Sequence, residues 1–248
     1  MGNLLLGVNA ADLIGRVAVA GSFLTPAQVT AASLVSDAMH EVTLIAPEFT
    51  GWQCKPGQSV RLALGRFAVD GLRTYSIWAH HPKRSELVLR GLDHADGPGS
   101  RWMSSVKAGA PVLLTSPRGV FGLDAEAAWH LLVGDESGAV PLLAMRAALP
   151  AEAAVHGVLA ADGPDGRIPP LAGDLPWVYR EGAPAASSTV LLDAVRALPL
   201  PTEPGTAYLA GERDTCLAIR RYLRDDLGWP RRSVRLSAHW TPGKRGLE

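Results

Sequence analysis

The chain has 248 residues, 47% hydrophobic and 19% charged, a composition that fits a folded globular protein and excludes a disordered or collagen-like one. Lysine plus arginine equal aspartate plus glutamate at 24 each, so no global charge draws it to nucleic acid or an acidic surface. Two distant cysteines, Cys54 and Cys216, exclude a disulfide framework or zinc knuckle, and no apolar run reaches the roughly 18–20 residues that span a bilayer. With Leu4–Val8 too short for a secretory core, the expectation is a cytoplasmic protein without membrane insertion or structural metal.

In chain order, Leu13, Ile14, Val17 and Phe23 predict a short helix over Asp12–Leu24, inside an N-terminal extension of residues 1–26 that Pro26 closes. Six β-rich runs follow: Val29–Val35, Glu41–Ile45, Ser59–Leu64, Arg73–Trp78, Glu86–Arg90 and Pro111–Ser116. Short strands separated by turn residues such as Pro47, Pro56-Gly57 and Pro82 predict an antiparallel β-barrel over residues 27–124. After Gly122 the rhythm changes. Strands at Trp129–Val133, Ala154–Ala160, Pro176–Tyr179, Ala207–Ala210 and Val234–Ala238 alternate with helices at Ser137–Ala148, Ser188–Leu198 and Thr215–Leu227. That alternation predicts a doubly wound α/β nucleotide-binding domain over residues 125–248, with the boundary at Gly122–Ala127.

Four segments carry chemistry. Arg73-Thr74-Tyr75-Ser76 heads a strand, whose alternation puts Arg73 and Tyr75 on one face and Ser76 on the other. An arginine fork for a pyrophosphate and an aromatic for a ring system suit a flavin dinucleotide. Gly97-Pro98-Gly99-Ser100-Arg101-Trp102 follows, with glycines that admit phosphate and Ser100 placed to cap a helix. Gly134-Asp135-Glu136-Ser137 and Ala210-Gly211-Glu212 both join a strand to a helix, at the sheet edge where doubly wound domains bind nucleotides.

Together with the near-terminal His239-Trp240, these segments in this order resemble the siderophore-interacting protein family, a branch of the ferredoxin–NADP reductase superfamily. The resemblance covers most of the chain from Ala27 onward. It implies FAD in the barrel, NADH or NADPH as co-substrate on the second domain, and reduction of a ferric siderophore. Arg73, Thr74, Tyr75, Ser76 and Arg90 would hold the flavin, and Gly97, Gly99, Ser100, Arg101 and Trp102 its pyrophosphate. Gly134, Asp135, Glu136, Ser137, Gly211 and Glu212 would line the nicotinamide groove, joined by Asp162 after the second strand, which can meet ribose hydroxyls; nearby Arg167 could instead pair with a 2′-phosphate. The sequence departs from the family where Arg90 precedes Gly91, where Gly99 replaces an alanine and where His239 replaces a tyrosine. Two other readings keep the fold: a flavoprotein serving an organic substrate or partner protein in biosynthesis, and a non-redox binder or cyclase reusing the barrel pocket.

No catalytic acid or base is assigned, because the flavin would carry the chemistry. His80-His81 point apart on a strand end and read as a solvated turn rather than a metal site. Cys216 opens a helix, where a lowered thiol pKa is conceivable, although packing is preferred. Basic residues gather near the end: eight against three acidic ones over Ile219–Glu248. An anionic acceptor would suit a basic rim, so Trp240, Lys244 and Arg245, with Arg66 in the barrel, are the candidate acceptor contacts.

Overall fold

The structure, a computed structural model, describes residues 24–64, 71–93 and 97–243. The helix expected over Asp12–Leu24 lies, apart from Leu24, outside them. The chain forms two compact units. Among the described residues, the first comprises the chain to Leu34 and His40–Arg118, and the second comprises Val35–Met39 and the chain from Gly119 onward.

The first unit is a closed six-stranded barrel. Its strands are β1 (Leu24–Leu34), β2 (Met39–Ile45), β3 (Ser59–Ala63), β4 (Leu72–His81), β5 (Glu86–Leu92) and β6 (Pro111–Thr115). They close in the order β1-β2-β5-β4-β3-β6, and the pairings are antiparallel. Period-two alternation builds the interior, with Val42 and Leu44, Val60 and Leu62, Leu87 and Leu89, and Val112 and Leu114 facing inward. Truncating a residue buried as fully as Leu62 would cost about 2–5 kcal/mol. Helix α1 (Pro98–Ser105) leads into β6 and adds Met103 to the same core.

The first strand corrects the sequence reading, since β1 begins at Leu24 and contains Pro26. The reason is local. Over Leu24–Gln28 this strand pairs with β6, and pairing with β2 begins only at Gln28. Pro26 opposite Leu113 therefore has one neighbouring strand, and its missing N–H leaves no ladder bond unmade on the open side.

The second unit is a parallel sheet with the strands β7 (His130–Gly134), β8 (Val155–Ala161), β9 (Trp177–Tyr179), β10 (Thr206–Glu212) and β11 (Val234–Trp240). Helices α2 (Glu136–Ala148), α3 (Thr189–Ala197) and α4 (Arg213–Arg221) connect them. The order β11-β10-β7-β8-β9 reverses between β7 and β10, the switch point of a doubly wound sheet. Both central strands are buried along their whole length, which is why they read as unbroken apolar runs. The unit begins ahead of Gly122–Ala127 because residues there are bound into it. Asp124 donates its backbone N–H to the Tyr208 hydroxyl at 2.8 Å, and Arg235 holds both the Gly122 carbonyl and the Asp124 carboxylate.

Two further departures are informative. The helix expected over Thr215–Leu227 is α-helical only to Arg221 and then widens into a π turn, Tyr222–Asp226. Pro141 stands inside α2 and cannot return a hydrogen bond to the Ser137 carbonyl one turn back. His239 Nδ1 takes that carbonyl instead, at 3.1 Å, tying β11 to the start of α2.

Candidate functional site

In the barrel, the pleat of β4 places Arg73 and Tyr75 on one face, as the sequence implied. Both meet α1 at Gly99. A methyl group there would stand 2.9 Å from the Tyr75 hydroxyl and 3.6 Å from Arg73 Cγ, so the helix start sits close against both side chains. Gly91 of β5 is equally tight, 2.9 Å from the Tyr75 ring and 2.6 Å from Met103 by the same measure. Trp102 lies 6.2 Å from Tyr75, ring centre to ring centre.

The polar groups here are left open. The N-cap of α1 is Gly97, which makes no side-chain cap; Pro98 follows, and no acidic residue lies in the first turn. Ser100 is therefore not the cap expected from the sequence, because Pro98 fixes the helix start earlier and leaves Ser100 buried within the first turn. Arg73 donates to the Leu72 carbonyl at 2.9 Å and has no acidic partner among the described residues. The Tyr75 hydroxyl is buried without a partner among them. Burial raises its pKa and the nearby Arg73 offsets only part of that, so the hydroxyl keeps its proton as a donor. An uncapped helix N-terminus, an arginine without an acidic partner and an unsatisfied hydroxyl at one spot fit a phosphate-bearing ligand with a flat ring.

The other residues of these motifs are placed differently. Thr74 is exposed, Ser76 pairs with Ser59, and Arg101 is exposed on α1. Arg90 is not part of the cluster. Since Gly91 faces Tyr75, the pleat turns Arg90 to the opposite side, where it pairs with Glu41 at 2.8 Å and lies over the Trp78 ring at 3.7 Å. Arg66 lies outside the described residues. His80 is anchored to the Phe49 carbonyl at 2.7 Å rather than standing in a solvated turn, because β4 continues through it to His81.

At the carboxyl edge of the parallel sheet, both strand-glycine-helix junctions are present but closed. Asp135 caps α2 by accepting the Gly138 N–H at 2.9 Å, and it also accepts the Ser137 hydroxyl, the Glu212 N–H and the Trp240 indole N–H. Glu212 caps α4 in the same way, accepting Asp214 N–H, Thr215 N–H and hydroxyl, and Ser187 N–H. Burial alone would raise the Glu212 pKa, but these donors together hold it below its ordinary value. Gly211 adopts φ 131°, and a methyl on it would stand 2.5 Å from the Asp135 carboxyl, so glycine is required for both reasons.

Glu136 turns toward β8 and β9. It accepts both ends of the Arg180 guanidinium, at 2.5 and 3.0 Å, and the Asp162 N–H at 2.8 Å. Asp162 in turn accepts the Gly182 N–H at 3.0 Å. Sequence reasoning missed Arg180; its one signal is a position directly after a short strand, at the same edge as Asp162. Cys216 lines the cleft beneath these residues, but burial pushes its thiol pKa up, which makes it a packing residue rather than a reactive one. Trp240 ends β11, while Lys244 and Arg245 lie outside the described residues. No helix among the described residues is long and apolar enough to cross a membrane.

A closed antiparallel barrel followed by a parallel sheet of this order is the ferredoxin-reductase-like fold, and the ferredoxin reductase of carbazole 1,9a-dioxygenase superposes with a TM-score of 0.71 at 21% identity, over 88% of this chain and 69% of that one. Within that class the chain is similar to the siderophore-interacting proteins, whose family model matches residues 127–243. A siderophore utilization protein from T. fusca superposes at TM-score 0.77 and 20% identity, covering 91% of this chain and 95% of the other. Ferric vibriobactin reductase ViuB from Vibrio cholerae is 27% identical over 178 residues. That match covers 69% of this chain and 65% of ViuB, so the chain spans less than two thirds of the length of that curated relative.

Proposed function

We propose that the chain is a flavin-dependent reductase that takes electrons from NADH or NADPH through FAD to the ferric iron of a siderophore. The observation that carries the reading is the convergence of Arg73, Tyr75 and the open start of α1 at Gly99. Arg73 and the first-turn amides of α1 would hold the FAD pyrophosphate, with Tyr75 and Trp102 shaping the apolar wall beside it. When bound, FAD converts a two-electron hydride donor into a source of single electrons, which ferric iron can accept. Gly134–Ser137, Asp162, Gly211 and Glu212 stand along the sheet edge where the nicotinamide dinucleotide would lie. Trp240, Lys244, Arg245 and Arg66 remain the proposed acceptor contacts. The likeness to a named ferric vibriobactin reductase supports the substrate class.

The test begins with the colour of the purified protein. Heat release followed by chromatography should yield FAD. Anaerobic NADH or NADPH should bleach it, and a ferric catecholate chelate should restore the yellow. Recovery of FMN alone, or of no flavin after reconstitution, overturns the reading. A flavin that bleaches but ignores ferric chelates transfers the proposal to an organic or protein acceptor.

A further inference from the structure

One corner of the sheet edge bears on which nicotinamide nucleotide is used, and the inference rests on the nucleotide reading just given. In a sheet of this order the residue after the second strand meets the adenosine ribose, and an arginine nearby accommodates a 2′-phosphate where one is present. Here the second strand is β8, followed by Asp162, and the next is β9, followed by Arg180. The arginine is present but engaged, since both of its terminal nitrogens are held by Glu136 in a pair with side chains 7% and 10% exposed. Its remaining donor, Nε, is buried without a partner among the described residues. The same guanidinium lines a cleft with Asp135, Ser188, Glu212 and Thr215.

Charge at this corner is one-sided. Glu136, Asp162 and Asp135 all act electrostatically on the single Arg180 cation. Arg167, the other arginine that the sequence offers for a phosphate, is paired with Asp174 at 2.7 Å. A dianionic 2′-phosphate would meet this surplus of carboxylates, and Arg180 would offer it only the buried Nε while Glu136 holds both terminal nitrogens. A ribose with free hydroxyls asks for an acceptor instead. Asp162 is exposed and gives one oxygen to Gly182 N–H, which leaves the other for a hydroxyl.

We propose that the Glu136–Arg180–Asp162 corner selects the dinucleotide lacking a 2′-phosphate, NADH over NADPH. Calorimetric titration of the FAD-loaded protein with ADP-ribose and with 2′-phospho-ADP-ribose tests this, because neither probe carries a nicotinamide and the readout is independent of electron transfer. Wild type should bind ADP-ribose tighter by on the order of tenfold or more. The gap should narrow as salt rises, because the repulsion is screened. Glu136→Gln together with Asp162→Asn keeps the acceptor oxygens and removes two charges, and it should bring the phosphorylated probe level with the other. Asp162→Asn alone, at an exposed position, should move the ratio the same way by less and guards against a folding defect in the double variant. A wild type that prefers the phosphorylated probe or treats both alike overturns the selectivity and leaves the nucleotide reading standing. Variants whose ratio does not move overturn the residue assignment. Binding of neither probe overturns the nucleotide reading, and the selectivity with it.

Discussion

Three helices of this protein begin at or beside a strand end, and they begin in two different ways. In the barrel, α1 starts from Gly97 and Pro98 with no capping side chain and no acid in its first turn, close to Arg73. In the parallel sheet, α2 and α4 start from Asp135 and Glu212, whose carboxylates occupy the first-turn amides. The partial positive charge of a helix start is the same in both regions. In one no side chain caps it, and in the other the chain satisfies it internally. Glycine beside a strand end therefore has two meanings here. Gly99 clears room beside Arg73 and Tyr75, whereas Gly211 clears room for Asp135.

The largest expected effect comes from opening a closed start. Asp135→Ala strands a cap amide, the Glu212 N–H and the Trp240 indole, and should cost about 2–4 kcal/mol of stability, read as a lower urea midpoint. A loss below about 0.5 kcal/mol, within the range of ordinary surface substitutions, would mean that Asp135 is not the hub described. Removing the open site's cation comes next. Arg73→Ala should weaken FAD binding by about 1.5–3 kcal/mol, or roughly 10- to 150-fold, with the melting temperature of flavin-free protein unchanged. Unfolding of the flavin-free variant under conditions where wild type is folded would make Arg73 a structural residue.

Closing the open start is the sharpest test of the comparison. Gly97 has φ −78° and open space where a side chain would go, so Gly97→Asp should fit and cap α1 as Asp135 caps α2. Flavin-free stability should hold or rise by a few tenths of a kcal/mol, while FAD affinity drops several-fold. Gly97→Ser caps without charge and should retain most of the affinity. Undiminished FAD binding in Gly97→Asp would break the comparison.

The smallest effect is set by pH. Burial lowers the pKa of His130 against the pull of Asp124, and that of His239 against the pull of Asp135 and the Ser137 carbonyl. Their folded pKa values thus lie below the unfolded value of about 6.5, so the unfolded chain takes up these protons first as pH falls. Stability should decline from pH 7 toward pH 5. Glu212, with a lowered pKa, adds its loss separately, below about pH 4.5. A thermal midpoint that is flat between pH 7 and 5 contradicts the histidine assignment.

Much of this was legible in the sequence, for physical reasons that differ by region. The barrel strands appear because alternating Val60 and Leu62, or Leu87 and Leu89, is the period of a half-buried strand. The central strands of the sheet appear as continuous apolar runs. Arg73 and Tyr75 share a face by the pleat alone, so their convergence followed from two-residue spacing. What stayed hidden depends on contacts between distant residues. Glu136 and Arg180 are 44 positions apart, and nothing in either neighbourhood announces the pair. The same is true of Arg90, which motif order placed with the flavin and which Glu41 and Trp78 hold on the other side of the strand. Pro26 read as a break because its strand partner could not be seen.

Pro141 has a consequence for anyone who would engineer this protein. A propensity scale marks it as the worst residue in α2, and exchange for alanine promises a gain of about 3 kcal/mol. Yet the missing amide is what leaves the Ser137 oxygen to His239. With alanine at 141 the histidine would share that oxygen with the helix, and the last strand would be less firmly moored. The irregularity is a vacancy that a remote residue fills, so a substitution made to perfect the helix would trade its regularity against the attachment of the chain's end.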